Sequence, residues 1–294
     1  MSHVLRNSTD PAPYETITVS PIAGAMGAEI GGIDLQDLDD RSFAEIHRAF
    51  LENNVIFFRD QTLSPAQYLG FAKRWGGIHL HPYMKGMPDN PEIFEIIKTE
   101  TETKNFGNRW HTDQQFCAEP AKATMLYAQE TPAAGGDTMY SNLYLAYDAL
   151  SDGMKEMLAG LKTYNMGDRK YGGKSRVERY SGGGEIMAGK VAPPREEINT
   201  AHPLIRTHPE TGRKALYIGS HTNHFDGMTE EESAPLRDFL MDHARRPEFT
   251  CRFRWQPGSI ALWDNRCSQH YAINDYTGQR RRMLRITIKG DTPF

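Results

Sequence analysis

Cysteine is scarce in this chain: Cys117, Cys251 and Cys267 are the only three among 294 residues. The number is odd and no C-x-x-C pair occurs. That argues against a disulfide framework and a zinc ribbon, and the expected setting is a reducing one, the cytoplasm. Long apolar runs are missing as well. Nothing approaches the roughly 18 residues that a membrane span needs, and Met1–Tyr14 is polar, without the apolar core of a secretory signal. Neither sign of charge dominates. Lys and Arg number 34 against 38 Asp and Glu, a net charge of −4, so no basic face is offered to nucleic acid or to an anionic membrane. Internal repeats, low-complexity tracts and glycine-rich phosphate loops are lacking. Gly182–Gly184 is a bare glycine run with the wrong flanks, and Ser220 and Ser268 sit in no G-x-S-x-G elbow.

What is there reads as strands at both ends with helices between. Thr16–Val19 and Val55–Phe58 carry strand patterns, and Arg41–Asn53 between them has the spacing of an amphipathic helix. Ser64 and Pro65 open a helix that runs to Trp75, as an N-cap and a first-turn proline should. Glu92–Ile97 and Thr124–Gln129 are strand-like, and Leu143–Leu161 reads as two short helices broken near Ser151–Gly153. Residues 165–200 lose periodicity and carry seven glycines and seven Lys or Arg, the composition of a mobile excursion or a lid. His202–Thr207 and Ala215–Ile218 are strand-like. Thr229–Arg245 is a helix opened by a capping box, Thr229 with Glu232, and its spacing buries Leu236, Phe239 and Leu240. Phe249–Trp255, Ser259–Trp263, Gln269–Ile273 and Met283–Lys289 close the chain as strands, the first two joined by a Pro257–Gly258 turn. The strand–helix alternation of a doubly wound sheet is absent. A mainly β fold, a jelly roll with helical inserts, fits better. A tail over 1–14 followed by one domain over 15–294 is the expected organisation.

The chemistry gathers in two places. In Trp110-His111-Thr112-Asp113 an extended backbone would put His111 and Asp113 on one face. With a distant second histidine they would form a two-histidine, one-carboxylate triad, the donor set of non-haem Fe(II). Without that partner they would be an ordinary surface or hydrogen-bonding pair. The segment Trp263–Tyr271 holds His270, and Arg280, Arg281, Arg282 and Arg285 follow. Buried unpaired arginines are costly. On a strand, Arg281, Met283 and Arg285 share one face, which is either a solvated edge or a pair of guanidinium groups reaching inward to carboxylates. His221-x-x-His224 could be a second metal pair, but a loop with polar caps is the simpler reading. Tyr217 and Phe225 are candidates for a substrate pocket.

These pieces, with Gly135-Gly136-Asp137-Thr138 and His208-Pro209-Glu210-Thr211-Gly212-Arg213-Lys214, resemble the taurine dioxygenase family, which also contains the phenoxyacetate-herbicide dioxygenases. The likeness runs from about Ile17 to the end. It implies a double-stranded β-helix, the jelly roll already expected. It implies Fe(II) held by His111, Asp113 and His270, with 2-oxoglutarate and O2 as co-substrates. Arg281 and Thr138 match the residues that take the distal carboxylate of 2-oxoglutarate, and Arg285 matches an arginine for the prime substrate. A carboxylate at 113 implies hydroxylation rather than halogenation. The implied reaction hydroxylates a small anionic substrate, a sulfonate such as taurine or a carboxylate, and yields succinate and CO2. Hydroxylation beside a heteroatom would then cleave the product. An aryloxyalkanoate is the alternative substrate, and a non-catalytic metal-binding jelly roll that senses or stores a ligand is the alternative of another class. Two departures bear on the substrate. The family's early-loop His and Tyr lie three apart, whereas His81 and Tyr83 lie two apart. The family's Asn four residues before the first ligand is Gly107 here, with Asn108 beside it. His81, Tyr83 and Asn108 are the resulting candidates for substrate contacts. Family members are often homodimers or homotetramers, which is the implied assembly.

Overall fold

The computed structural model describes residues 12–82, 84–167 and 198–294. Its main sheet has seven strands, in the order Thr18–Pro21, Ala28–Gly31, Val55–Phe58, Ile260–Asp264, Ala123–Glu130, Arg281–Ile288 and Phe94–Lys98. Successive side chains along a strand point to opposite faces, and here both faces are covered. Val55, Phe57, Leu126, Ala128, Ala261, Trp263 and Met283 enter one core. Their neighbours Ile56, Phe58, Met125, Tyr127, Ile260, Leu262, Leu284 and Ile286 enter a second. This double burial is why these strands read as continuous apolar runs rather than as an alternation.

The second core is closed by the helices Asp40–Asn53 and Pro65–Lys73, through Ile46, Phe50, Tyr68 and Phe71. Both helices are capped, and Ser64 caps the second as expected. Asp39 caps the first, and Ser64 and Gln67 form a capping box on the second. The first core is closed by a smaller sheet of Thr250–Phe253, Thr138–Asn142 and Ser268–Ala272. Phe253 of that sheet stacks on Phe57 of the main one, with ring centroids 3.9 Å apart. Two sheets facing across one core, with helices outside, make a jelly roll.

Several elements differ from expectation. The first strand is shifted to Thr18–Pro21, and Ala28–Gly31, Thr138–Asn142, Lys162–Met166 and Thr222–Phe225 are further strands. His202–Thr207 is two strands, Asn199–Pro203 and Ile205–Thr207, parted at Leu204. The ends of the 165–200 stretch are paired strand, and Gly167 N–H donates to the Ile198 carbonyl at 2.9 Å. The rest of that stretch lies outside the described residues, as do residues 1–11 of the expected tail. Tyr14, the last of that tail, is anchored: its hydroxyl donates to Glu52 at 2.6 Å, and Arg48 covers its ring. Thr229 and Glu232 do form a capping box on the helix Glu230–Ala244, but Phe239 is 49% exposed, and of the three residues expected to be buried only Leu240 is fully so. Phe239 stacks on His243 one turn along the outer side, at 6.1 Å. Among the described residues no helix is long and apolar enough to cross a membrane.

Candidate active site

His111 and His270 face each other across an isolated antiparallel bridge. Each backbone N–H donates to the other's carbonyl, at 3.1 and 2.9 Å. The segment expected to be extended is therefore one bridge that runs straight into a turn. Gln114, buried, takes φ 54°, a left-handed conformation that costs a non-glycine residue about 1–2 kcal/mol. The Thr112 hydroxyl donates to the Ser268 carbonyl at 2.9 Å. His111 and Asp113 still end side by side. Asp113 Oδ1 lies 3.6 Å from His111 Nε2 and 3.9 Å from His270 Nε2.

These three buried side chains offer ligand atoms all within 4.8 Å of one another, and their chemistry fits Fe(II). His111 Nδ1 is 2.6 Å from the Arg109 carbonyl. A carbonyl only accepts, so Nδ1 carries the proton and Nε2 keeps its lone pair. Burial, and then the neighbouring His111, hold His270 neutral well below the ordinary histidine range. Burial alone would raise the Asp113 pKa. Arg285, the two histidines and the Thr124 hydroxyl together outweigh it, and the carboxyl titrates far below its usual range. A neutral His270, a His111 whose Nε2 faces the same point and an ionised Asp113 suit a divalent ion.

His208, Asp264 and Cys267 form a second such group, but its valences are filled. His208 Nδ1 accepts from the backbone of Glu210 and Thr211, so Nε2 carries the proton and gives it to Asp264 at 3.0 Å. Arg266 takes both Asp264 oxygens, at 2.9 and 2.7 Å. This is an ion-pair network rather than a metal site.

Arg281 and Arg285 both point inward and are buried. Their strand neighbours Arg282 and Arg280 pair instead with Glu95 and Glu130, so of the two readings of the arginine run the inward one holds. Arg281 Nε and Nη2 have no hydrogen-bond partner among the described residues. Its guanidinium lies 5.6 Å from the centre of the Trp255 ring, whose N–H donates to Thr138 Oγ1 at 2.9 Å. Thr138 and Arg281 therefore meet at Trp255, a residue the sequence did not single out. Unpaired donors in such a place cost about 1–3 kcal/mol each, and an incoming carboxylate would satisfy them. Arg285 Nη2 is 2.6 Å from Asp113 Oδ1. Its N–H bonds point past that oxygen, so neither Nη2 nor Nε makes a hydrogen bond there.

The substrate candidates are scattered. His81 meets the Phe94 ring at 5.7 Å, and Arg285 covers the same ring at 5.3 Å. Tyr83 lies outside the described residues. Asn108 is exposed, in a cleft of about 310 Å³ shared with Trp110, Arg237 and Tyr271, and does not join the buried triad. Gly107 stands against the His111 ring, where an added Cβ would lie 3.5 Å from Cε1. A missing side chain at 107 thus leaves room beside the His111 ring. Phe225 is core and Tyr217 is wholly buried against Arg206. It is His221, read above as a loop residue, that packs edge-on to His111 at 6.3 Å, while His224 stacks on Tyr164. The pair at 221 and 224 is split rather than joined.

A jelly roll with two imidazoles and a carboxylate converging at its centre, and buried arginines alongside, is the arrangement of the non-haem iron oxygenases. The family model described as "Taurine catabolism dioxygenase TauD, TfdA family" matches residues 18–287. An alkylsulfatase from Acinetobacter baylyi is 34% identical over 95% of this chain and 87% of its own length. An alpha-ketoglutarate-dependent sulfate ester dioxygenase from Pseudomonas putida is 33% identical over 97% and 93%. The crystal structure of a taurine dioxygenase from Burkholderia xenovorans superposes with a TM-score of 0.78 at 34% identity, covering 95% of this chain and 93% of that one. The chain belongs to the TauD/TfdA family, and its class is that of the 2-oxoglutarate-dependent dioxygenases.

Proposed function

We propose that this chain is an Fe(II)- and 2-oxoglutarate-dependent dioxygenase that hydroxylates a small anionic substrate, first of all an alkyl sulfate ester, beside the heteroatom. The single observation carrying the reading is Arg281, a buried guanidinium with unsatisfied donors, on the same strand as the Arg285 that contacts Asp113 of the buried triad. A metal-binding jelly roll without catalysis has no use for it. His111, Asp113 and His270 would hold the iron. When bound, the iron supplies the activation of O2 and the oxidising power that no side chain has. Arg281 and Thr138 grip the distal carboxylate of 2-oxoglutarate, and Arg285 draws the anionic head of the prime substrate toward the triad. Burial of the guanidinium groups strengthens both contacts, because little water screens them.

The sulfate ester is favoured by the likeness to the alkylsulfatase and to the sulfate ester dioxygenase. The stoichiometry closes: one oxygen atom of O2 enters the ester's α-C–H bond as a hydroxyl, the other goes to succinate as 2-oxoglutarate loses CO2, and the hydroxylated ester falls apart to an aldehyde, sulfate and a proton. A cytoplasmic setting, one catalytic domain from residue 15 onward and a dimer or tetramer belong to the same reading.

The test is a screen of alkyl sulfates, sulfonates and aryloxy acids for substrate-dependent succinate release with Fe(II), beside His270→Ala. Release should be greatest with an alkyl sulfate and should vanish in the variant without loss of fold by circular dichroism. Turnover retained by His270→Ala would refute the triad. Preference for an aryloxy acid would replace the sulfate reading.

A further inference from the structure

Asp113 has two carboxylate oxygens, and they are not equivalent. Oδ1 faces both histidine Nε2 atoms and has Arg285 Nη2 beside it at 2.6 Å. Oδ2 accepts a hydrogen bond from Thr124 Oγ1 at 2.7 Å. Thr124 has one proton to give, and its direction is fixed from behind. The Asn265 side-chain N–H donates to Thr124 Oγ1 at 3.0 Å, so the hydroxyl proton is left for Asp113. The orientation of Asn265 is fixed in turn. Its Oδ1 accepts from the Asp113 backbone N–H at 3.2 Å and from the Trp263 indole N–H at 3.1 Å. Neither of those groups can accept, so the amide cannot be reversed. Asp113, Thr124, Asn265 and Trp263 are all buried, and the chain of donors runs in one direction only.

We propose that Thr124 and Asn265 are positioning residues that hold Asp113 as a one-oxygen ligand, through Oδ1. This rests on the metal-site reading above. A carboxylate that would bind through one oxygen would leave one more position open on the metal than one that would bind through both. The clamp would thus keep room for the co-substrates, and it acts on Asp113 from behind, through the oxygen turned away from the histidines.

The test is metal binding in the absence of 2-oxoglutarate and O2, by calorimetry with Mn(II) and by the visible spectrum of the Co(II) form. Thr124→Val keeps the shape and the strand propensity and removes the proton. It should weaken binding roughly 10- to 100-fold, as loss of a partner behind a metal ligand does, and should change the intensity of the Co(II) bands, which follows coordination number. Thr124→Ser, which restores the hydroxyl, should recover both. Asn265→Asp should act like Thr124→Val, because an acceptor at 265 draws the hydroxyl proton away from Asp113; it decides the matter if the valine variant does not fold. Wild-type affinity and spectrum in Thr124→Val or Asn265→Asp would overturn the clamp. If instead His270→Ala binds as wild type does, it is the metal-site reading that fails.

Discussion

At the scale of single residues, the two inward arginines on one strand have different surroundings, and this predicts a division of labour. Arg281 stands among Trp255, Tyr140 and Tyr276, and the pull of the Asp137 carboxylate on it is small beside burial. Burial depresses its pKa, though a guanidinium starts so high that it stays charged. Arg285 stands against the Asp113 carboxylate. Each would give a charged hydrogen-bond pair to a different anion, worth about 1.5–3 kcal/mol. Arg285→Ala should therefore raise KM for the prime substrate by about 10- to 100-fold and leave KM for 2-oxoglutarate nearly unchanged. Arg281→Ala should do the converse. Steady-state kinetics with each co-substrate varied in turn measures both, and equal weakening of the two in either variant would reject the separation of roles.

At the scale of elements, legibility followed how local the cause of each structure is. The helices Asp40–Asn53, Pro65–Lys73 and Glu230–Ala244 declare themselves because caps and spacing are written within a few residues. The strand Thr138–Asn142 does not, since Thr-Met-Tyr-Ser-Asn has no clean alternation. It exists because Thr250–Phe253 and Ser268–Ala272 pair with it from more than a hundred residues away. The site divides in the same way. His111, Asp113, His270 and the arginines are visible as residue types that only make sense together. Thr124 in an apolar run reads as one more strand former, and Asn265 and Trp255 acquire roles only through contacts across the fold. An inward-facing Thr in register with the arginine strand was the one available signal. Phe239 went wrong because it sits at the border of the helix's apolar stripe, where spacing alone cannot place a ring. Where the cause is local, the effect of removing it should be local too. Thr229→Ala deletes one half of the capping box and should cost about 1 kcal/mol. That would lower Tm by about 2–4 °C while kcat and KM stay at wild-type values. A change in KM would show that the helix end is tied to the site.

At the scale of the whole molecule, one charged network joins layers that the chain keeps far apart. Glu210 reaches His47 on the first helix at 2.9 Å, Arg266 at 2.5 Å and Lys122 at 3.4 Å. Arg266 passes the connection to Asp264, which His208 holds from the other side. The hydrogen bond from His47, opposed by burial and joined by Arg266, pulls the Glu210 pKa far below its usual range. Asp264 is lowered too, as Arg266 and His208 overcome its burial. Both groups are thus ionised when folded at pH values where the unfolded chain, titrating near about 4, has begun to take up protons. The unfolded state binds more protons in that window, so stability rises with pH across it. The contribution is fully present above the ordinary carboxylate range and is lost as pH falls from about 4 toward the lowered folded values. Thermal melts between neutral pH and pH 3, with a chelator present so that metal release adds no slope of its own, should show Tm falling steeply at the acid end. Glu210→Gln should melt lower than wild type at neutral pH, since Arg266 loses an anionic partner. It should converge on the wild type in acid, because the proton that disables Glu210 has nothing left to disable. Parallel curves at all pH values would mean that the network holds its shape without its charge, and that the tie between the helix layer and the 208–214 loop is packing alone.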